Sequence, residues 1–304
     1  MRGAFLKTLA DLAGADDRIV LLTGDLGFTV VEPFAERFPR RFFNVGVAEQ
    51  NMMGVATGLA EAGFIPFVYS IATFATLRGY EFIRNGPVLH QLPVRIVGVG
   101  GGFDYGSAGS THHALEDIAV MRVLPGLTVL APADPAQAAA ALRATWDLPG
   151  PIYFRLGKDD RAIVPGLDGS FELGRVERLR DGRDVAIVTT GAISSEALAA
   201  ADILRDAGIE AAVLVVATIS PAPTEALARL LDGFQTIVTV EAHYRIGGLG
   251  SLVCEVVAER GQGARVIRLG VSGSSDGISG SDAFLNRAHG LSRDLIAARI
   301  RSLL

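Results

Sequence analysis

Apolar runs of strand length alternate with helical stretches twice along this chain of 304 residues. The first series includes the runs at residues 19–22 and 64–69, and the second includes those at 185–189 and 211–216. Strands that are apolar throughout are typical of a parallel sheet that helices cover on both faces. The alternation therefore predicts an α/β fold with two parallel-sheet, three-layer domains in tandem.

The two series are separated by residues 158–183, which are rich in Asp, Gly and Arg. This composition, with a Pro-Gly pair at 165–166, is typical of a connecting segment. We therefore expect a first domain over residues 1–164, a linker over 165–182 and a smaller second domain over 183–304. Two domains of this size are ordinary for a chain of this length.

Composition narrows the classes of function. Hydrophobic residues make up 49% of the chain and charged residues 20%, which is enough apolar material for two cores. A net charge of −5 without a basic block argues against nucleic acid as a partner. The single cysteine, Cys254, excludes an internal disulfide and a cysteine metal site. With no membrane-length apolar run and no signal-peptide pattern at the start, we expect a cytoplasmic protein away from the membrane.

One acidic residue stands at the start of a helix that is otherwise small and apolar. Helical spacing places Met52, Met53 and Ala56 on the same side as Glu49. A carboxylate on a buried face is costly unless it has a partner or a function, although the helix N-terminus reduces the cost. From the residues alone, Glu49 is either a capping or ion-paired glutamate or a catalytic acid.

Residues 43–52 read Phe-Asn-Val-Gly-Val-Ala-Glu-Gln-Asn-Met. This run resembles the pyrimidine-binding domain of the transketolase family of thiamine diphosphate enzymes. The resemblance implies that Glu49 is both catalytic and cofactor-binding, because the family's glutamate bonds a ring nitrogen of the cofactor's aminopyrimidine. A protonated carboxyl at this place promotes the imino form of the pyrimidine, which then removes the thiazolium proton.

Three further residues receive cofactor roles from the resemblance. Phe74, on a helix predicted over residues 73–85, matches the family's stacking aromatic, although a core phenylalanine would fit the same pattern. Ile71 stands where many members have a second aromatic, and Asp25 matches an aspartate of the pyrimidine domain. We expect these three residues to line the cofactor site, with no metal ligand in this chain.

Two adjacent histidines follow a glycine-rich loop over residues 100–109. They could be a polar loop pair or a functional pair, because histidine titrates near neutral pH and loops often carry function. The resemblance implies that His112 contacts the substrate near the reactive carbon or moves a proton, with His113 as its neighbour. It also implies that Arg155 and Arg2 belong to a clamp for the sugar phosphate.

The sequence departs from the family pattern at two substrate positions. Ala108 stands where transketolases carry an aspartate that contacts a donor hydroxyl, and glycines 100–102 replace a histidine that helps to hold the sugar phosphate. Losing a hydrogen-bond partner for a hydroxyl weakens discrimination. We therefore expect altered selectivity and a specialised sugar rather than the common pentose phosphates.

The resemblance extends along the whole chain but covers only half of a transketolase. Residues 241–243 and 247–251 resemble the family's C-terminal domain, which supports assembly. No stretch supplies a magnesium and diphosphate site, because the Gly24-Asp25 pair is followed by Leu26 rather than glycine. We expect an N-terminal, diphosphate-binding partner subunit that holds Mg²⁺ and shares thiamine diphosphate in a self-associating two-plus-two heterotetramer.

The predicted function is the C-terminal subunit of a split transketolase that moves a two-carbon ketol unit between small sugars in carbohydrate metabolism. One alternative is the beta-type subunit of a 2-oxo-acid dehydrogenase or of a synthase that uses 2-oxo acids. Another is a non-catalytic assembly subunit, because a fold can persist after its chemistry is lost. Glu49 and Phe74 favour a catalytic subunit over an assembly subunit, and the Val-Gly-Val-Ala-Glu-Gln-Asn run with the Thr111-His112 pair resembles transketolase more than the 2-oxo-acid enzymes.

Overall fold

The computed structural model describes residues 1–273 and 277–304 and contains two β-sheets with helices packed around them. The helices are α1 (Arg2–Ala13), α2 (Glu32–Arg37), α3 (Glu49–Glu61), α4 (Tyr80–Ile83), α5 (Asp117–Arg122), α6 (Pro135–Thr145), α7 (Ser194–Asp206), α8 (Thr224–Leu231), α9 (Leu249–Glu259), α10 (Asp282–Ala288) and α11 (Arg293–Arg301). The strands are β1 (Ile19–Thr23), β2 (Phe42–Asn44), β3 (Ile65–Ile71), β4 (Arg95–Val99), β5 (Thr128–Leu130), β6 (Ile152–Leu156), β7 (Val176–Arg180), β8 (Val185–Thr189), β9 (Ala211–Val216), β10 (Thr218–Ser220), β11 (Thr236–Tyr244) and β12 (Arg265–Val271).

The first sheet has seven strands in the order β10-β5-β6-β4-β3-β1-β2. Six of them run parallel, and β1, β3, β4 and β6 are buried along their whole length, as their apolar composition predicted. The seventh strand, β10, comes from the second half of the chain and pairs antiparallel with β5. The α/β prediction is confirmed, and this short strand adds a backbone link between the two halves.

The second sheet has five strands in the order β12-β11-β8-β9-β7. Its edge strand β7 runs antiparallel to β9 and lies inside the segment that was predicted to be a linker over residues 165–182. The prediction is wrong for residues 176–180, because the polar sequence Val-Glu-Arg-Leu-Arg is that of an edge strand with a solvent-facing side.

Helix α3 lies against strands β1 and β3 and buries one side in the core of the first domain. Met52, Met53 and Ala56 are almost fully buried there, as their spacing predicted, and Glu49 is buried with them. On the opposite face of the sheet, α1 and α6 cover a second apolar cluster that includes Phe5. Helix α3 therefore brings its first residue to the sheet edge where β1 and β3 end.

The segment after β3 is wound more loosely than the single helix that was predicted over residues 73–85. It consists of a π-helical turn at Phe74–Arg78, the short helix α4 and a second π-helical turn at Arg84–Val88. Such turns are frequent at functional sites. None of the described helices is long and apolar enough to cross a membrane.

Candidate active site

Glu49 lies at the first residue of α3 with only 2% of its surface exposed. Its Oε1 accepts a hydrogen bond of 3.0 Å from the hydroxyl of Ser70 on β3. Its Oε2 accepts a bond of 2.8 Å from Nη1 of Arg78. Because β1, β2 and β3 are parallel, their carboxyl ends meet at this edge of the sheet, where ligands bind in open α/β folds.

The same arginine also contacts Phe74 and so connects this ring with the Glu49 carboxylate. The guanidinium carbon of Arg78 lies 3.9 Å from the centre of the Phe74 ring, and Phe74 and Arg78 begin and end one π-helical turn. The His112 ring meets Phe74 edge-on, with ring centres 5.0 Å apart and planes at 70°. The structure thus brings together Glu49, Phe74 and His112, three residues that the sequence singled out.

The sequence analysis missed Ser70 and Arg78 as parts of this group. Ser70 precedes Ile71 on a buried strand and is itself fully buried, which is unusual for a serine without a partner. Arg78 follows Phe74 by four residues and so lies on the same side of the turn. These two signals could have predicted that both residues face Glu49.

Ile71 and Asp25 both lie at the carboxyl ends of central strands. Ile71 is the last residue of β3 and is 7% exposed. Asp25 follows β1, is exposed, and has a left-handed backbone with φ of 59°. The Nδ2 of Asn44 donates to Asp25 Oδ1 over 2.9 Å, and the Asp25 backbone N–H donates to Asn44 Oδ1. Asp25 is therefore held at the carboxyl edge of the sheet by the residue that ends β2.

His113 does not join His112 at Phe74. It is 4% exposed and packs edge-on against Phe103, with ring centres 5.1 Å apart. Phe103 in turn stacks on His289 of the second domain. Burial lowers the pKa of His113 below its ordinary value. This geometry suits a neutral, packed histidine at the contact between domains.

Arg155 is buried and bound within the protein. Its Nε donates to Asp117 Oδ2 over 2.7 Å, and its Nη2 donates to the carbonyl oxygens of Ala114 and Ala242. It also lines a cavity of about 240 Å³ between the two domains. A side chain at Gly101 would bring Cβ within 2.6 Å of the Arg155 guanidinium, so the glycine there allows this close approach.

Arg2, the other predicted clamp residue, begins helix α1 and is half-buried. Burial raises the pKa of the phenol groups of Tyr69 and Tyr105, and the nearby charge of Arg2 lowers them in part. Arg2 therefore lies close to Tyr69 on β3 and to Tyr105, which follows β4.

The second motif of the sequence, at residues 241–251, forms a buried cap. Glu241, three residues before the end of β11, accepts hydrogen bonds from the backbone N–H groups of Leu249 (2.7 Å) and Gly250 (2.8 Å), the first residues of α9. A side chain at Gly248 would clash with Glu241 Oε2. The glycines of this motif therefore serve the packing of α9 on β11.

The family profile described as transketolase, pyrimidine binding domain, matches residues 1–162, more than half of the chain. The chain belongs to the transketolase family. A second profile, described as transketolase, C-terminal domain, matches residues 174–296.

Curated relatives of similar length are transketolase sections and subunits. A protein of Methanocaldococcus jannaschii described as a transketolase C-terminal section is 40% identical and covers 99% of this chain and 95% of its own length. A subunit of the apulose-4-phosphate transketolase of Phocaeicola vulgatus is 38% identical over 88% of this chain and 86% of its own. A subunit of the 6-deoxy-6-sulfo-D-fructose transketolase of Clostridium sp. is 39% identical over 85% and 81%.

One solved structure has nearly the same length and fold. It is described as split gene transketolase, inactive beta4 tetramer, and it matches with a TM-score of 0.87 and 38% identity over 99% of this chain and 96% of that chain. Together with the relatives, it confirms the prediction that this chain is the C-terminal half of a split transketolase.

Proposed function

We propose that this transketolase subunit is catalytic, and that it transfers a two-carbon ketol unit between sugars when an N-terminal partner subunit is bound. The observation that carries the proposal is the buried carboxylate of Glu49 at the carboxyl edge of the sheet, with the Phe74 ring beside it. Burying a carboxylate is costly even when it is paired, as Glu49 is with Arg78 and Ser70, and such groups cluster at functional sites.

The donor set at this edge fits the pyrimidine half of thiamine diphosphate. Glu49 supplies a carboxyl for a ring nitrogen, Phe74 supplies an aromatic face, and Ile71 and Asp25 lie at the strand ends around them. When bound, thiamine diphosphate supplies the carbon nucleophile that attacks the ketose carbonyl. Family membership supports this cofactor, because transketolases depend on it.

The chain's own residues would orient the cofactor and handle protons. Glu49 is held by Ser70 at 3.0 Å, so its carboxyl is fixed in direction before any ligand arrives. His112 is half-buried against Phe74, and its Nδ1 lies 3.0 Å from Thr111 Oγ1. This contact orients the imidazole, which can exchange a proton with a sugar hydroxyl at the mouth of the pocket.

The diphosphate half of the site would come from the partner. Within residues 1–273 and 277–304, no group of three His, Cys, Asp or Glu side chains could hold a metal ion. A partner that binds Mg²⁺ and the diphosphate would complete the site, and a two-plus-two assembly in the cytoplasm follows the family's two-site arrangement. The solved relative described as an inactive beta4 tetramer supports the need for such a partner.

The substrates would be small sugars, with selectivity that differs from that of common transketolases. Relatives are named for apulose 4-phosphate and for 6-deoxy-6-sulfo-D-fructose, so related chains serve different sugars. The exposed Ala108 and the glycine at 101, which lies against Arg155, leave two polar contacts of the family pattern unfilled. Arg155 and Arg2 remain proposed contacts for the sugar's anionic group, whereas the burial of His113 against Phe103 does not support its predicted contact with the sugar.

Reconstitution tests the proposal. The partner candidate is a chain encoded next to this one that carries a Gly-Asp-Gly sequence and a later asparagine. Each chain alone and the mixture would be assayed with thiamine diphosphate, Mg²⁺ and a panel of ketoses and aldoses. We expect ketol transfer only in the mixture. Turnover by this chain alone, or no transfer by a stable complex with any sugar, would contradict the proposal.

A further inference from the structure

The Glu49 pocket already contains a planar group. The Arg78 guanidinium donates to Glu49 Oε2 over 2.8 Å with one edge, while its carbon lies 3.9 Å from the centre of the Phe74 ring. The two contacts that the cofactor's aminopyrimidine would need are thus both made by one side chain. A guanidinium resembles an aminopyrimidine in this respect, because it is flat, delocalised and rich in edge nitrogen atoms.

We propose that Arg78 is an internal competitor of the cofactor, and that its guanidinium occupies the pyrimidine place until thiamine diphosphate displaces it. The inference rests on the proposed function, since it concerns the same pocket. It adds that this chain carries an autoinhibitory contact of its own, independent of the missing diphosphate half.

Charge and space make the two occupants compete. A guanidinium has only donors, so Glu49 Oε2 must accept from it, and an ionised carboxylate attracts it most strongly. A ring nitrogen of the pyrimidine is an acceptor, so Glu49 must carry a proton to donate to it, and that proton removes the charge that attracts Arg78. The guanidinium also lies over the Phe74 ring, where the pyrimidine would stack. The pyrimidine therefore competes with Arg78 both at Glu49 and at Phe74.

The arginine has a path out of the pocket. Its side chain is 44% exposed, whereas Glu49 is 2% exposed, so a rotation of Arg78 moves its charge into water without moving the helix. It ends the loosely wound turn Phe74–Arg78 and is followed by Gly79. The displaced conformation is thus accessible from the observed fold, and the competition can be reversible.

The fraction of molecules in which Arg78 bonds Glu49, here called the closed conformation, sets the expected effect on affinity for the pyrimidine. A hydrogen bond to a charged group favours the closed form by a factor of roughly ten to a hundred, and apparent affinity falls by the same factor. Replacing Arg78 should therefore tighten binding of the pyrimidine by about tenfold or more. A merely structural ion pair predicts no gain in affinity.

A fragment titration tests this without the partner or turnover. The probe is 4-amino-5-hydroxymethyl-2-methylpyrimidine, followed by NMR on the full chain as wild type, Arg78→Met and the matched control Arg84→Met. Arg84 is exposed and bonds Asn85 rather than Glu49. We expect tighter binding to Arg78→Met and unchanged binding to Arg84→Met. Equal or weaker binding to Arg78→Met would overturn the inference.

Two further variants keep the outcomes distinct. Arg78→Lys keeps the charge but lacks the planar guanidinium, so it should also bind the fragment more tightly than wild type. It replaces Arg78→Met if that variant has a low melting temperature. One outcome is that the fragment binds wild type with an affinity that falls in Phe74→Ala and is the same in both Arg78 variants. In that case the inference fails and the proposed function stands. If it binds no variant at all, the chain alone has no pyrimidine half-site and the inference fails, whereas the reconstitution assay decides the proposed function separately.

Discussion

Arg155 Nε donates to Asp117 Oδ2 over 2.7 Å, and both side chains are almost fully buried at the contact between the two domains. The hydroxyl of Tyr153 donates to the same oxygen over 2.6 Å. Burial opposes ionisation of Asp117, but the Arg155 charge and these hydrogen bonds outweigh it and hold the pKa of Asp117 below its ordinary value. Since Arg155 also bonds the carbonyl of Ala242, the pair links the first sheet to strand β11.

Arg155→Met should destabilise the chain by about 3–5 kcal/mol, because it leaves the Asp117 charge buried without its partner. Urea unfolding measures the loss. The control is Arg178→Met, which breaks an exposed pair with Asp181 and should cost less than about 1 kcal/mol. An Arg155→Met chain as stable as the control, with a raised KM for a phosphorylated sugar, would instead assign Arg155 to substrate binding.

Stability should depend on pH through Glu241. Burial raises its pKa from 4.5 to about 7, although the N–H groups of Gly250 and Leu249 partly offset this. Between these pH values the folded chain holds a proton that the unfolded chain has released. The stabilising contribution is thus complete below pH 4.5 and is lost as pH rises towards 7, by about 3 kcal/mol.

The variant Glu241→Gln removes this titration and keeps one oxygen for the helix N–H groups. Its unfolding free energy relative to wild type should rise between pH 5 and pH 8, which urea titrations at the two pH values would measure. The same difference at both pH values would show that Glu241 does not titrate in this range.

Phe74→Ala should weaken binding of thiamine diphosphate to the assembled complex by about 1–3 kcal/mol, because the flat heterocycle loses its ring partner. Calorimetric titration of the reconstituted complex gives the dissociation constant. Phe284→Ala, which removes a half-exposed ring in the second domain, is the control and should leave it unchanged. Unaltered affinity in the Phe74 variant would return this residue to a core role.

Ala108→Asp should sharpen selectivity among donor sugars. Ala108 is exposed in a short 3₁₀ turn ahead of His112, so an aspartate fits there without repacking. A new hydrogen bond to a donor hydroxyl is worth roughly 1–3 kcal/mol of discrimination. The ratio of kcat/KM for xylulose 5-phosphate and an epimeric ketose phosphate measures it. An unchanged ratio would mean that the substituted position does not face the donor.

The sequence was sufficient for the parts of the fold that depend on continuous apolar runs. Strands such as Val185–Thr189 and the buried side of α3 followed from periodicity, because burial on both faces leaves few polar positions. Strands β7 and β10 were not predicted, because a short edge strand has a polar side and its pairing depends on residues distant in the sequence.

The sequence predicted the candidate site where a residue type is energetically costly in its surroundings, as a carboxylate is on an apolar face. Glu49 met that condition on an apolar helix side, and its neighbours Phe74 and His112 came from the family resemblance. Arg78 did not stand out, since an arginine in the middle of a predicted helix is ordinary on a surface. Its contact with Glu49 depends on a π-helical turn, which residue spacing alone does not reveal.

The most direct test of the account is the turnover of Glu49→Gln in the reconstituted complex, compared with Glu61→Gln at the exposed end of the same helix. Glutamine keeps the size and the contact with Ser70 but cannot act as an acid. We expect kcat to fall by about a hundredfold or more for Glu49→Gln, with the melting temperature kept, and to stay unchanged for Glu61→Gln. Near-normal ketol transfer by the Glu49→Gln complex would contradict the claim that this subunit provides the catalytic carboxyl.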